Sequence, residues 1–394
     1  MNVPLHKLCP AARETDHALA KMDDRIDWLG RVMPSNLDDV KEGFWANGFT
    51  HMPDYTYEHD ADDLEGIRSE LFALPVRDIE DDLIRSLLQE KQREVDRQIE
   101  LVRMRDTDGF ILASIDLFGA VSEQLLHDAH EVLEKTPDLP QAERGSGADE
   151  IIAAGKRDME YYRSVDPRFD YAVVANPMPG TSLFTAEGNF NVATDYKTAP
   201  SRIEPLINHE IGTHSVTHFN GSHQPLHVLR TGLADYDALQ EGLAVFAEYL
   251  CGHLPAARLR LLAARVVAAH MAVSGKQGAE IFACLHEQHG LPKGRAFAVL
   301  ARSKRGGGLT KDAVYLAGLI ELLAWLENGG EIERLFIGKF AMKQLPALTK
   351  LLDRGLLVPP VILPRYLDNE EARVRLENAR SLPVWELYQE TDTT

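Results

Sequence analysis

Apolar residues recur at helical spacing along most of the chain, and this pattern predicts a largely helical protein. Leu19, Met22, Ile26, Leu29 and Val32 mark a helix within residues 12–33. Residues 35–62 hold Phe44, Trp45, Phe49, Tyr55 and Tyr57 without a clear period, and read as an irregular covering segment. The clearest helix is 78–105. Asp78 suits its cap, and Leu83, Leu87, Leu88, Val95, Ile99 and Val102 form one stripe. Glu90, Lys91, Arg93, Glu94, Asp96 and Arg97 form the opposite face, which is expected to lie in solvent. Asp106-Thr107-Asp108-Gly109 breaks this helix, and residues 110–135 continue helically from Leu117 and Phe118 to Leu133.

The polar, Pro- and Gly-containing run from Pro137 to Ala148 is the expected boundary between an N-terminal helical region, 1–145, and a second unit, 146–394. Asp149 then suits the cap of a helix reaching Ser164. Tyr171–Val174 is β-prone, and runs starting at Thr181 and ending at Thr194, split by Glu187-Gly188, predict a hairpin or an edge strand. Ala199-Pro200-Ser201 starts a further helix, and helices over 237–252, 255–274, 277–288, 293–302, 311–327, 331–336, 339–353 and 368–379 follow. The expected class is therefore α+β, mostly helical, with a small sheet beside the helix that begins near residue 202.

Composition narrows the partners. The 394 residues carry a formal charge of −19, which disfavours nucleic acid and anionic membranes. The chain has no run of about 18 apolar residues, and Met1–Lys7 lead into polar sequence with no apolar signal core. Cys9, Cys251 and Cys284 are too scattered for a disulfide framework or a CxxC site, and are expected as small buried apolar residues. The expected location is the cytoplasm.

The candidate chemistry sits at Asn208-His209-Glu210-Ile211-Gly212-Thr213-His214. Zinc takes neutral imidazoles and carboxylates, and the usual helical arrangement is H-E-x-x-H, with both histidines on one face. Here His209 and His214 are five apart, so a regular α-helix would splay them by about 140°. A π-type turn, eased by Gly212, would realign them and leave Glu210 as general base. The alternatives are a ligand pair of His214 with His218, or Glu210 with His214. Glu241 is the expected third ligand: with Gly242 and Glu248 it breaks an otherwise apolar stretch of helix 237–252, and a carboxylate buried there is costly without a partner such as a metal. Gly242 implies a close approach of some neighbour, and Asp237 or Glu248 could accept a hydrogen bond from a ligand imidazole. His223 and His227 flank Pro225 and are not expected to bind metal; His286 and His289 stand at a helix end.

Gln240-Glu241-Gly242-Leu243-Ala244 resembles the second-ligand helix of gluzincin peptidases. Together with His-Glu-Ile-Gly-Thr-His it is similar to the bacterial QEGLA-motif family named for flavohemoglobin expression, whose animal relatives are the microtubule-associated tyrosine carboxypeptidases. The resemblance runs from roughly residue 80 to 325 and includes Leu229–Leu233, Arg302–Gly306 and Thr310–Gly318. It implies a zincin-like catalytic domain in 146–394, one zinc on His209, His214 and Glu241, catalysis by Glu210, and release of a C-terminal aromatic residue from a peptide or protein. The tubulin substrate need not be shared.

With that chemistry, Tyr315, Arg230 or His218 could stabilise the oxyanion, and Arg230, Arg302 or Arg305 could fork onto a substrate carboxylate. Tyr315 could instead be a packed tyrosine, and Arg302 and Arg305 helix-end charges beside Gly306-Gly307-Gly308. Other functions open to the same residues are a zinc endopeptidase, an aminopeptidase, and a non-catalytic regulator that keeps the fold.

Overall fold

The computed structural model describes residues 8–26, 28–58, 64–105, 107–139, 145–177, 182–305 and 308–389. Asp106 of the expected helix break, residues 140–144 of the expected boundary, Thr181 and the Gly306-Gly307 pair lie outside this set.

Helices dominate, as the period predicts, but several boundaries differ. The first helix runs Pro10–Arg25, and a short Trp28–Val32 helix follows. The covering segment contains a real helix, Leu37–Ala46. Only Val40 and Phe44, at i and i+4, are buried in it, too short a stripe for the period to show. Its Phe44 packs edge-on to Phe282 at 5.3 Å between ring centroids. The long helix is Asp82–Met104, capped by Asp81 rather than Asp78: the Asp81 carboxylate accepts from the Leu83 and Ile84 amides at 3.0 and 3.1 Å. Residues 110–135 form two helices, Phe110–Phe118 and Glu123–Lys135, bent by 88° after Gly119, whose φ of +81° ends the first. Among the described residues no single helix is long and apolar enough to cross a membrane.

The charged face of Asp82–Met104 is not all in solvent. Lys91 is 0% and Glu94 3% exposed. Lys91 Nζ lies 2.8 Å from both Glu94 and Asp23 of the first helix, and Trp28 Nε1 donates to Asp23 at 3.0 Å. A second helix covering that face converts surface charges into a buried cluster. One apolar cluster includes residues on both sides of the 137–148 segment, among them Leu19, Leu88, Leu133, Leu243 and Leu319.

The small sheet has three strands. Val173–Asn176 runs parallel to Asn189–Ala193, which pairs antiparallel with Leu183–Ala186. The last two form the expected hairpin, and Glu187 and Gly188 turn it with φ of +48° and +80°. Leu183–Ala186 is an edge strand. The Ala148–Val165 helix covers the sheet, with Gly155 against Phe190 and Val173. Its cap position is Gly147, and Asp149 lies within its first turn.

Two long helices cross beneath the candidate site, Asp237–Leu250 and Val314–Glu327. A Cβ on Gly242 would stand 2.5 Å from the Gly318 carbonyl carbon, and one on Gly318 would run into the Ala238 carbonyl oxygen. This is the close approach that a glycine inside an apolar helix implies. Gly318→Ala is expected to destabilise the protein by about 1–3 kcal/mol through overpacking. An unchanged thermal midpoint would show that the crossing can open without cost.

Candidate metal centre

The helix expected near residue 202 changes pitch at the motif. Ile203–Ile207 is α-helical, Asn208–Ser215 is π-helical, and Val216–Ser222 returns to α. Thr213 Oγ1 donates to the Asn208 carbonyl five residues back at 3.1 Å, and Ser215 Oγ donates to the Gly188 carbonyl in the hairpin turn at 2.8 Å. Gly212 fits between Asn208 and Tyr366, whose nearest atoms would be 3.1 and 3.3 Å from an added Cβ. The widened turn brings His209 and His214 together, with ring centroids 5.2 Å apart.

Glu241 closes the group. Its Oε2 lies 3.8 Å from His209 Nε2 and 3.9 Å from His214 Nε2, and the three donor atoms all fall within 4.8 Å of one another. Tetrahedral zinc with bonds of about 2.0–2.2 Å would hold such donors roughly 3.3–3.5 Å apart. The set fits that ion in chemistry and spacing after small side-chain adjustments.

Both imidazoles have a brace. His209 Nδ1 meets Glu248 Oε1 at 3.0 Å, and Glu248 is gripped by Arg202 at 2.5 Å and Arg258 at 3.3 Å. Burial pushes the Glu248 carboxyl up, but the two guanidiniums and His209 outweigh it and hold the group well below the usual carboxylate range. Burial likewise pulls His209 down, yet its bond to Glu248 and the neighbouring carboxylates leave it net raised. A carboxylate behind a ligand imidazole fixes the ring so that Nε2 faces the metal. His214 Nδ1 meets Gln240 Oε1 at 3.4 Å, and Gln240 also accepts from Thr217 at 2.8 Å. Burial takes the His214 imidazole down to about 4, so it is neutral and ready to ligate at pH 7. Burial raises the Glu241 carboxyl, with Asp237 adding to it and His209 opposing.

Glu210 stands beside this group, with its Oε2 accepting from Thr185 Oγ1 of the edge strand at 2.8 Å. Glu210, Thr185 and the three donors border one cleft of about 840 Å³.

The other candidates divide. Tyr315 and Arg302 line the cleft, and Arg302 is forked onto Asp312, with Nε at 3.0 and 2.7 Å from its two oxygens. Asp237 lines it too, but pairs with Lys311 at 3.1 Å rather than with an imidazole, so Glu248 alone takes that role. His218 is turned away: its Nδ1 meets Tyr171 Oη at 2.7 Å, and burial pushes it down to about 2, a neutral packed histidine. Arg230 is also outside the cleft lining, ion-paired to Asp24 of the first helix. Arg305 is buried elsewhere, with its guanidinium on Met33 Sδ at 2.8 Å. His227 pairs with Asp16 at 3.0 Å and His286 Nδ1 with the Leu291 carbonyl at 2.8 Å, both structural. Cys9, Cys251 and Cys284 are free and partly rather than fully buried.

Sequence reasoning overlooked Thr185, Gln240, Arg202, Arg258, Arg265 and Lys339, all of which line the cleft. Gln240 was available as the neighbour of Glu241. Arg258 and Arg265 were visible, with Arg260, as charges within the mostly apolar Ala256–Val273 helix. Lys339, drawn down to about 8 by burial, lies 5.6 Å from the Tyr236 ring centroid.

A family model described as microtubule-associated tyrosine carboxypeptidase matches residues 42–382. No curated protein matches the chain.

Proposed function

Because the chain belongs to the microtubule-associated tyrosine carboxypeptidase family, we propose that it is a zinc-dependent carboxypeptidase with a zincin-like catalytic unit, removing Tyr or Phe from a peptide or protein C-terminus. The observation that supports the zinc part is the convergence of His209, His214 and Glu241 across a π-helical turn. One zinc per chain would acidify a water and polarise the scissile carbonyl.

The chain's own residues do the rest. Glu210, steadied by the Thr185 hydroxyl, takes the proton of the attacking water and passes it to the leaving amine. Tyr315 is the candidate donor to the developing oxyanion. Burial holds its phenol well above the usual range, so it stays a donor at neutral pH. The free side of Leu183–Ala186 can take a substrate backbone as an added strand, which would lay the scissile bond beside Glu210.

The test uses a peptide ending in Tyr, once as the free acid and once as the amide, read by mass spectrometry. Loss of terminal Tyr from the acid alone is expected, with activity abolished by a chelator and restored by zinc. Equal cleavage of both forms would make the protein an endopeptidase or aminopeptidase. No cleavage by the zinc-loaded protein would overturn the reading.

A further inference from the structure

Two arginines that line the cleft, Arg265 and Arg302, face a single buried carboxylate, Asp312. Asp312 is 2% exposed, and Arg302 occupies both of its oxygens. Arg265 approaches the same carboxylate, but its Nε stops 4.0 Å from Asp312 Oδ2. That Nε is buried with no hydrogen-bond partner among the described residues. The Arg265 guanidinium carbon instead lies 5.2 Å from the Tyr315 ring centroid. Two guanidiniums thus share one buried carboxylate, and the Nε of the second makes no hydrogen bond among the described residues. Burial pulls Arg265 below its ordinary pKa, with Asp312 offsetting this only in part.

A buried guanidinium nitrogen without a hydrogen bond is costly, and the planar fork of an arginine matches a carboxylate. Arg265 also stands at a junction. It borders both the cleft that holds the metal-binding group and an adjoining one lined by Leu139, Leu261, Pro292 and Val299. An anion docked there would sit against Tyr315 with an apolar recess beside it.

We propose that Arg265 is the carboxylate-binding residue of this cleft: a substrate carboxylate docks on its open guanidinium edge, while Arg302 and Asp312 form the fixed backing. The proposal rests on the carboxypeptidase reading for the identity of the ligand. The carboxylate belongs either to the C-terminal residue or to an acidic side chain near it, and the two sources are separable.

The zinc-loaded Glu210→Gln protein is titrated with three peptides: one ending in free-acid Tyr, its amide, and an amidated peptide with Glu next to Tyr. Arg265→Gln on this background is expected to weaken the free-acid peptide by roughly ten- to hundredfold and to leave the plain amide unchanged. Arg265→Lys, with charge but no fork, should recover part of the loss. If the Glu-containing amide weakens in the same way while the acid does not, the docked carboxylate is a side chain. If acid and both amides change alike in Arg265→Gln and in Arg265→Lys, or none changes, Arg265 does not bind carboxylate. The two readings can fail separately. Wild-type protein that binds the acid through Arg265 and cleaves nothing would sink the carboxypeptidase reading alone. Wild-type protein that releases Tyr, with Arg265→Gln equal to it in KM, would sink the carboxylate site alone.

Discussion

Glu210→Gln is expected to lower hydrolysis of a Tyr-terminated peptide by about 10²- to 10⁴-fold while bound zinc stays at the wild-type level. The amide keeps the shape of the side chain and its contact with Thr185, 2.8 Å away, but cannot accept the proton of water. The three convergent donors, His209, His214 and Glu241, are untouched. Product release by mass spectrometry and zinc by atomic absorption would be read on the same sample. Activity within a factor of ten of wild type would remove Glu210 as the base. Loss of zinc together with activity would place Glu210 among the ligands. A regulator that merely keeps the fold would retain its cellular effect in this variant, so the substitution also separates enzyme from binding module.

The second large effect is expected at a cluster that is not part of the cleft lining. Lys91→Met should cost about 3–5 kcal/mol of stability, because it leaves Asp23 and Glu94 facing each other without the ammonium that sits 2.8 Å from each. Denaturant melts would measure it, and a loss below about 1 kcal/mol would mean that water reaches the cluster. The deficit should depend on pH with a definite sign. Burial already raises the Glu94 carboxyl against the opposing pull of Lys91. Without Lys91 its folded pKa climbs further above the unfolded value, so the protonated carboxyl favours folding at low pH and that contribution disappears as pH rises through the folded pKa. The variant should therefore lag wild type most at neutral pH and least near pH 4. Glu94 also accepts the Asp235 amide at 2.7 Å, at a residue held at φ +62°, six positions before Glu241. Weaker zinc retention in Lys91→Met would show that the N-terminal helices help to set the third ligand.

What was legible in the sequence, and what was not, follows from how far each inference had to reach. The π turn was legible because a five-residue gap between two histidines leaves the backbone few ways to aim both at one ion. The close packing at Gly242 was legible for a similar reason, since a glycine there has no other use. Helical period places Asp237 and Glu248 on the same side as Glu241, but it cannot say what stands opposite. Lys311 takes the first, while His209, Arg202 and Arg258 surround the second. The same limit misled the reading of Arg230, Arg305 and His218. Their places in or just after the matched segments suggested the cleft, whereas partners from distant parts of the chain, Asp24 and Met33 among them, hold the arginines elsewhere. The face of Asp82–Met104 read as solvated because nothing local marks Asp23 as its neighbour.

The π-helical turn also bears on how such proteins are recognised. A pattern that demands two histidines four residues apart passes over this chain, although its donors converge as a four-residue spacing would make them. The π turn takes up the extra residue between two α-helical segments, Ile203–Ile207 and Val216–Ser222. Ser215 fastens it to the hairpin turn, and Asn220 beyond it ties the Phe336 and Ile362 carbonyls together. A search for this chemistry therefore has to admit a five-residue spacing wherever a helix can widen by one residue.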